Sequence, residues 1–180
     1  MKKPIIHVAV SGGVDSMALF DLTSRKKNFE VRILHFDHKT PYAKRARKLV
    51  ENLAQTTNTQ IEIFEYEGSE QTEFAWSNWR NKIMLSFKTE VQTAHHIDDS
   101  TESYLMRHRL IAEQKQNIKR PFIAQRWSKK KIVEYANRKK LYWLDDPTND
   151  SSSLRRNKIR NELIPLLREC GINPHRIVLI

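Results

Sequence analysis

Along the first two-thirds of the chain, short apolar runs alternate with longer stretches of helical spacing. Residues 4–10 form an apolar run that stops at two glycines, and residues 15–25 then carry Met17, Leu19, Phe20 and Leu22 at helical intervals. Residues 30–36 (EVRILHF) read as a second strand. Residues 42–57 suit a helix, with Ala46, Leu49, Val50 and Leu53 on one face and basic residues on the other. Residues 61–66 alternate as a third strand, 73–87 are helical, 90–94 make a short fourth strand, and 99–111 begin a helix under a carboxylate cap. This alternation predicts an α/β fold: a parallel, twisted sheet with helices on both faces.

After Gln114 the pattern changes. Arg120-Pro121-Phe122 marks a turn, and Ser128 caps a helix running through Lys140. Residues 145–153 (DDPTNDSSS) form a polar loop, and residues 154–168 a basic helix that Pro165 must break or kink. The expected organisation is an α/β unit over residues 1–115 and a short helical extension of the same unit, basic and suited to RNA contact, over residues 116–180. No apolar run approaches the roughly 18–20 residues of a membrane span. The apolar stretch near the N-terminus is only about six residues long and runs into the glycines, so it reads as a strand rather than a leader. One cysteine, Cys170, excludes an internal disulfide, and no CxxC pair is present for zinc or an iron–sulfur cluster. The expectation is a cytoplasmic protein.

The formal charge of +11 matters for partners, because Lys and Arg recur in clusters from residues 25–27 to residues 155–160. Such a surface favours a polyanion through phosphate neutralisation and counterion release. It equally suits a protein that is merely soluble and basic.

The strongest chemical signal is Ser11-Gly12-Gly13-Val14-Asp15-Ser16, between the first strand and the first helix. Two glycines let backbone N–H groups close on phosphate oxygens, and the helix aims its positive end at the same point. Ser11 and Ser16 add hydroxyls, and Asp15 is placed to hold Mg²⁺ on a pyrophosphate. The lysine of a GxxxxGK[ST] loop is absent. Two further segments follow strands two and four: His35-Phe36-Asp37-His38, and Ala94-His95-His96-Ile97-Asp98-Asp99-Ser100-Thr101-Glu102-Ser103. Both fall where open α/β sheets bind ligands. Their histidines read equally well as polar loop residues, and Asp98 and Asp99 as helix caps or as metal ligands, with Glu102 one turn onward. Trp76, Trp79, Trp127 and Trp143 are open to two readings, base-stacking platforms or core packing.

The string SGGxDS is the hallmark of PP-loop ATP pyrophosphatases. The two histidine segments resemble the family's His-x-Asn-His and HHxDDQxET motifs. Arg120-Pro121-Phe122, Tyr142-Trp143-Leu144-Asp145-Asp146-Pro147-Thr148-Asn149 and residues 156–167 (RNKIRNELIPLL) resemble RPL…W…EDPTN…RNxIRxxLxPLL of the tRNA(Ile)-lysidine synthase family. The resemblance covers residues 5 to 168. It implies ATP bound by Ser11, Gly12, Gly13, Val14, Asp15 and Ser16, with His35, His38 and His96 around the nucleotide. It implies Mg²⁺ on Asp15, Asp98 and Asp99, and catalysis by Asp15, Asp98, Asp99 and Glu102. Arg80, Arg155, Arg156, Asn157 and Arg160 are the implied RNA contacts. The implied reaction is adenylation of the C2 carbonyl of the wobble cytidine in tRNA(Ile) bearing a CAU anticodon, followed by attack of free L-lysine. Alternatives are tRNA thiolation, which the solitary Cys170 disfavours, and a non-catalytic nucleotide- or RNA-binding protein. Departures fall on the substrate side. Lys39 stands where the family has glycine, Ser100 where it has glutamine, and Ser77 where it has the first arginine of E-x-x-x-R-x-x-R. Residues 111–119 lack the family's glycine-rich turn.

Overall fold

The structure, a computed structural model, describes residues 3–146 and 155–178. Five strands lie parallel: β1 (Ile5–Ala9), β2 (Glu30–Asp37), β3 (Gln60–Glu65), β4 (Glu90–Gln92) and β6 (Ile118–Lys119). A two-residue edge strand, β5 (Gln114–Lys115), runs antiparallel to β6, and the sheet order is β3-β2-β1-β4-β6-β5. Four helices connect the early strands: α1 (Val14–Ser24), α2 (Pro41–Thr56), α3 (Glu73–Ser86) and α4 (Ile97–Arg107).

Alternation along the strands sorts side chains onto two faces. Ile6, Val8 and Ile33 join a core with Val14, Met17, Leu19 and Phe20 of α1, Val50 and Ala54 of α2, and Ile132, Tyr135 and Ala136 of α6 (Lys129–Arg138). On the other face Leu34, Val91 and Ile118 pack with Met84 of α3 and the rings of Phe36, Phe64 and Phe87. The sheet is therefore covered on both sides, as parallel pairing requires.

The division expected at residue 115 falls inside the β5–β6 hairpin, and α6 shares the core of β1 and α1. Tyr135 Oη donates to Asp21 at 2.5 Å, tying α6 to α1. In the described structure residues 116–138 belong to the α/β layers themselves.

Gln116 turns the β5–β6 hairpin at a φ of 52°, in the left-handed region, and so does the work of the missing glycine. The neighbouring Asn117 amide secures that turn by donating to the carbonyls of Met84, Phe87 and Thr89. The segment expected as a turn at Arg120 continues into a one-turn helix, α5 (Pro121–Ala124). The basic C-terminal helix runs as α7 (Arg155–Lys158), a π turn (Ile159–Leu163) and α8 (Ile164–Glu169). The Ile164 N–H bonds the Ile159 carbonyl five residues back, just before Pro165, which has no N–H to give. The discontinuity expected from Pro165 thus takes the form of a π turn. Most of the polar loop, residues 147–153, lies outside the described residues.

Candidate active site

The sheet grows outward from β1 to β2 and β3, then the chain crosses back through α3 to place β4 on the other side of β1. The C-terminal ends of β1 and β4 therefore flank a topological switch point, where loops diverge and leave a cleft. Residues 11–16 sit at that point. Gly12 has a φ of 88°, a conformation that disfavours any side chain, and its carbonyl accepts from the Leu144 N–H at 3.0 Å. Ser16 Oγ donates to the Gly13 carbonyl at 2.9 Å and accepts from the Ser11 N–H at 3.1 Å, holding the loop closed on itself.

Gly13 is the N-cap of α1, and no side chain caps this helix. By contrast Thr40, Thr72 and Ser128 cap α2, α3 and α6 by accepting from Ala43, Ala75 and Lys131 N–H groups. The first-turn N–H groups of α1 have no intrahelical acceptors and aim at the cleft, which suits an anion.

Two adjoining cavities open from this loop, sharing Ser11, Gly13, Asp15, Phe36, His38 and Arg80. The larger, about 720 Å³, lies toward β2 and α2, with His35, Trp76, Lys129, Asp145 and Asp146 in its walls. The smaller, about 350 Å³, lies toward β4, with Thr93, His95, Asp99 and Arg156.

Histidine chemistry differs between the walls. His35 is buried, its Nδ1 donates to the Val10 carbonyl at 2.8 Å, and Nε2 has no partner. Burial pushes its pKa down, so the ring is neutral and Nε2 is an acceptor. His38 stacks on Trp76 at 4.8 Å, and its Nε2 accepts from Arg80 at 2.9 Å. Burial and the Arg80 charge lower its pKa to about 4. His95 opens onto the smaller cavity with Nδ1 against Thr93 Oγ1 at 3.0 Å. The protein mass around it and the guanidiniums of Arg120 and Arg156 outweigh Asp99 and lower its pKa to about 4. For His96 burial disfavours the charged ring, but the carboxylates of Asp98, Asp99 and Asp15 prevail and raise its pKa.

A family profile described as a PP-loop domain matches residues 1–167. The chain belongs to that family. Similar curated proteins include tRNA(Ile)-lysidine synthases from Mycoplasmopsis pulmonis, 31% identical over 87% of this chain and 61% of that protein, and from Enterococcus faecalis, 26% identical over 91% and 40%. The PP-loop domain thus spans between two-fifths and three-fifths of those relatives' lengths. Among solved structures it is similar to a U34-tRNA thiolase from Methanococcus maripaludis that carries a [4Fe-4S] cluster. That match has a TM-score of 0.74 at 11% identity, over 98% of this chain and 70% of that one. It is also similar to an NH3-dependent NAD synthetase from Campylobacter jejuni, with a TM-score of 0.56 at 15% identity, over 99% and 82%. At these identities the structures establish the fold.

Within this PP-loop domain the expected acidic residues converge, but each carboxylate already has cationic or N–H partners. Asp15 receives the Lys129 ammonium on both oxygens, at 2.8 and 2.7 Å. Asp98 accepts from the Lys129 N–H at 2.6 Å and from His175 Nε2 at 2.9 Å, and these bonds with His96 outweigh burial and hold it far below the usual carboxylate range. Asp99 accepts from the His96 N–H at 3.0 Å, which makes it a cap from the third helical position, and from Arg156 at 2.6 Å. Its pKa is likewise lowered, the charges of His96 and Arg156 outweighing burial. Among the described residues no group of three or more His, Cys, Asp or Glu is arranged to hold a metal. The expected Mg²⁺ ligands Asp15, Asp98 and Asp99 thus all pair with protein donors in this structure.

Two other expectations fall on residues with protein partners. Glu102, expected as a catalytic group, is 1% exposed and accepts from Arg160 Nε at 2.6 Å and Arg156 Nε at 2.6 Å. It anchors the C-terminal helix on α4 and lines neither cavity. Arg156 and Arg160, expected on RNA, pair with Asp99 and Glu102 of α4 while their side chains stay 44% and 34% exposed, and Asn157 is buried. The Arg155 side chain lies outside the described residues. Arg80 sits in the cleft against His38 and Glu73. Trp127 is packing: it stacks on Phe122 at 5.1 Å under the Lys131 ammonium. Trp79 packs edge-on against Phe36 and Tyr66, whereas Trp76 reaches the cavity wall. Lys129 and His95 were missed as site residues. Lys129 is one of three consecutive lysines that look like a solvated face, and only the α1–α6 packing brings it to Asp15.

Proposed function

We propose that this PP-loop domain carries out ATP-dependent ligation of L-lysine to the wobble cytidine of tRNA(Ile) with a CAU anticodon. The observation that carries the reading is the uncapped N-terminus of α1 behind the Gly12–Gly13 turn, opening on two cavities rather than one. One cavity suits the nucleotide and the other the acceptor. The sequence similarity to tRNA(Ile)-lysidine synthases supports the choice of reaction.

In this reading the outer phosphates of ATP lie against the first-turn N–H groups of α1, which stabilise the charge that develops on pyrophosphate. The adenine occupies the cavity beside His35, whose unpartnered Nε2 accepts from an exocyclic amine, a group adenine has at C6 and guanine lacks there. The cytidine O2 attacks the α-phosphorus, the P–O bond to pyrophosphate breaks, and pyrophosphate departs. The lysine ε-amine then attacks C2, AMP leaves with the O2 oxygen, and the nitrogen loses a proton. Arg80 and Arg156, both lining the smaller cavity, offset the phosphate charge during both steps.

The test is pyrophosphate release from ATP, measured with and without lysine and tRNA(Ile) bearing the CAU anticodon. Release that requires both, together with lysine-modified tRNA, is expected. RNA-stimulated release that ignores lysine would refute the reaction class. Asp15→Ala is expected to abolish release, and full activity in that variant would contradict the site assignment.

A further inference from the structure

This inference rests on the reading above and concerns where the single-stranded part of the RNA docks. The C-terminal arginines expected on RNA already pair with Asp99 and Glu102, so free cations at the same cleft are the stronger candidates for its phosphates. Helices α2 and α3 follow the adjacent parallel strands β2 and β3, which puts their first turns at one end of the sheet. Both reach the site: Arg45 of α2 and Glu73 of α3 line the larger cavity, and Glu73 also lines the smaller.

On α2 the buried positions are Ala43, Ala46, Val50 and Ala54, which leaves Lys44, Arg45 and Lys48 on the outward side. All three are exposed and, among the described residues, none has an ion pair. Arg47 differs, since Asp37, Glu51 and Glu65 hold it. On α3, Trp76 stacks on His38, and Trp79 packs against Phe36 and Tyr66. Phe74 has no ring partner among the described residues, joins neither hydrophobic cluster and is 67% exposed. It follows directly on Glu73, where the two cavities share a wall. A bare aromatic face near unpaired cations suits a single strand, whose bases stack on the ring while its phosphates meet the charges.

We propose that this rim docks the anticodon loop, with Phe74 stacking a base next to the wobble cytidine and Lys44, Arg45 and Lys48 on the phosphates. The stack holds the neighbouring nucleotide outside while the cytidine enters, which offsets part of the cost of unstacking the cytidine. The phosphates supply the negative charge that the outward side of α2 lacks.

The test is fluorescence anisotropy of the intact chain with a labelled RNA stem-loop carrying CAU in its loop, over a salt series. Phe74→Ala is expected to weaken binding roughly 5- to 100-fold without changing the salt slope, because stacking releases no counterions. Phe74→Trp is expected to keep the affinity, and Phe74→Leu, apolar but without a π face, to lose most of it. The triple variant Lys44→Gln, Arg45→Gln, Lys48→Gln is expected to flatten the slope of log affinity against log salt by about 2. An abasic sugar is placed in turn on each side of the cytidine. One of the two is expected to cost the wild type as much as Phe74→Ala does, and to cost that variant nothing further. ATP binding is expected to be unchanged by Phe74→Ala, since Phe74 lines neither cavity. Undiminished RNA binding by Phe74→Ala or Phe74→Leu overturns the proposal, as do additive losses with both abasic RNAs or an unchanged slope in the triple variant. So does self-association of the wild type that Phe74→Ala abolishes while RNA binding persists, which would make the ring a contact between copies. A wild-type chain that binds the stem-loop with this Phe74 dependence but gives no lysine-dependent turnover would refute the ligase reading while leaving the rim standing.

Discussion

Removing the Glu102 carboxylate tests whether the C-terminal helix is held by ion pairs or merely rests on α4. Glu102 is 1% exposed, while its partners Arg160 and Arg156 have side chains 34% and 44% exposed. Taking one partner from a buried ion pair costs about 3–5 kcal/mol when the remaining charge stays dry. In Glu102→Ala the charges left behind are the two guanidiniums, which lie near enough to the surface to rehydrate, and Arg156 keeps Asp99 at 2.6 Å. The expected loss is therefore at the low end, about 3 kcal/mol. For a chain of this size that is a fall in Tm of roughly 6–12 °C. Arg160→Ala leaves Glu102 buried with one cation instead of two, so it is expected to cost about as much. The pair is measured by urea unfolding of both single variants and the double variant, with a coupling of about 2 kcal/mol expected from a shared contact. A Glu102→Ala midpoint within about 2 °C of wild type, or a vanishing coupling, would refute the anchoring role. Loss of turnover in Glu102→Gln without loss of stability would instead return this residue to the chemistry.

Lys39 adopts a φ of 60° and Gln116 a φ of 52°. Lys39→Gly and Gln116→Gly are each expected to stabilise the fold by about 0.5–1 kcal/mol in denaturant titrations, since glycine relieves the left-handed strain. The ion pair that Lys39 loses is exposed and spans 3.3 Å to Glu65, so it subtracts little. Gly12→Ala meets only ordinary contact at Ala46, 3.5 Å away, but at a φ of 88° it is expected to cost about 1–3 kcal/mol and to abolish pyrophosphate binding. His38 titrates at about 4 in the fold against 6.5 when unfolded. A depressed histidine leaves the unfolded chain binding the extra proton, so stability is expected to fall from pH 6.5 down to about 4 and then level off. His38→Gln, which keeps an acceptor for Arg80, is expected to flatten that slope in urea midpoints taken at pH 7 and pH 5. An unchanged slope would contradict the neutral ring.

The elements of the sheet were legible because each carries its own period. Strands β1 to β4 and helices α1 to α3 fall within a residue or two of the apolar patterns. What escaped was short or non-local. The β5–β6 hairpin is two residues per strand with no glycine at its turn, so neither alternation nor turn chemistry marked it. The phosphate loop was legible because Gly-Gly after an apolar run has a backbone meaning. The partners of the site carboxylates were not, since pairs such as Asp15 with Lys129 and Glu102 with Arg160 join residues 114 and 58 positions apart. An arginine on an amphipathic basic helix looks the same in sequence whether it meets RNA or a buried glutamate. The packing of the C-terminal helix on α4, which sets Arg156 and Arg160 against Asp99 and Glu102, is not written in either segment alone.

That packing also explains how so many carboxylates tolerate one cleft. Asp98, Asp99 and Glu102 occupy the first turns of α4, where the helix dipole favours negative charge but cannot offset three carboxylates alone. The C-terminal segment brings Arg156, Arg160, Arg168 and His175 to the same end of α4, and α6 brings Lys129. The acidic turn and the basic tail are thus two halves of one neutralised cluster. A charge-reversing change in the basic half leaves the buried carboxylates of Asp99 and Glu102 short of partners, whereas the reverse change leaves cations that can rehydrate. Where local rules are obeyed, as at the capped ends of α2, α3 and α6, the chain is building scaffold. Where they are broken, at the uncapped end of α1, the unsatisfied donors face a cavity that an anion can fill.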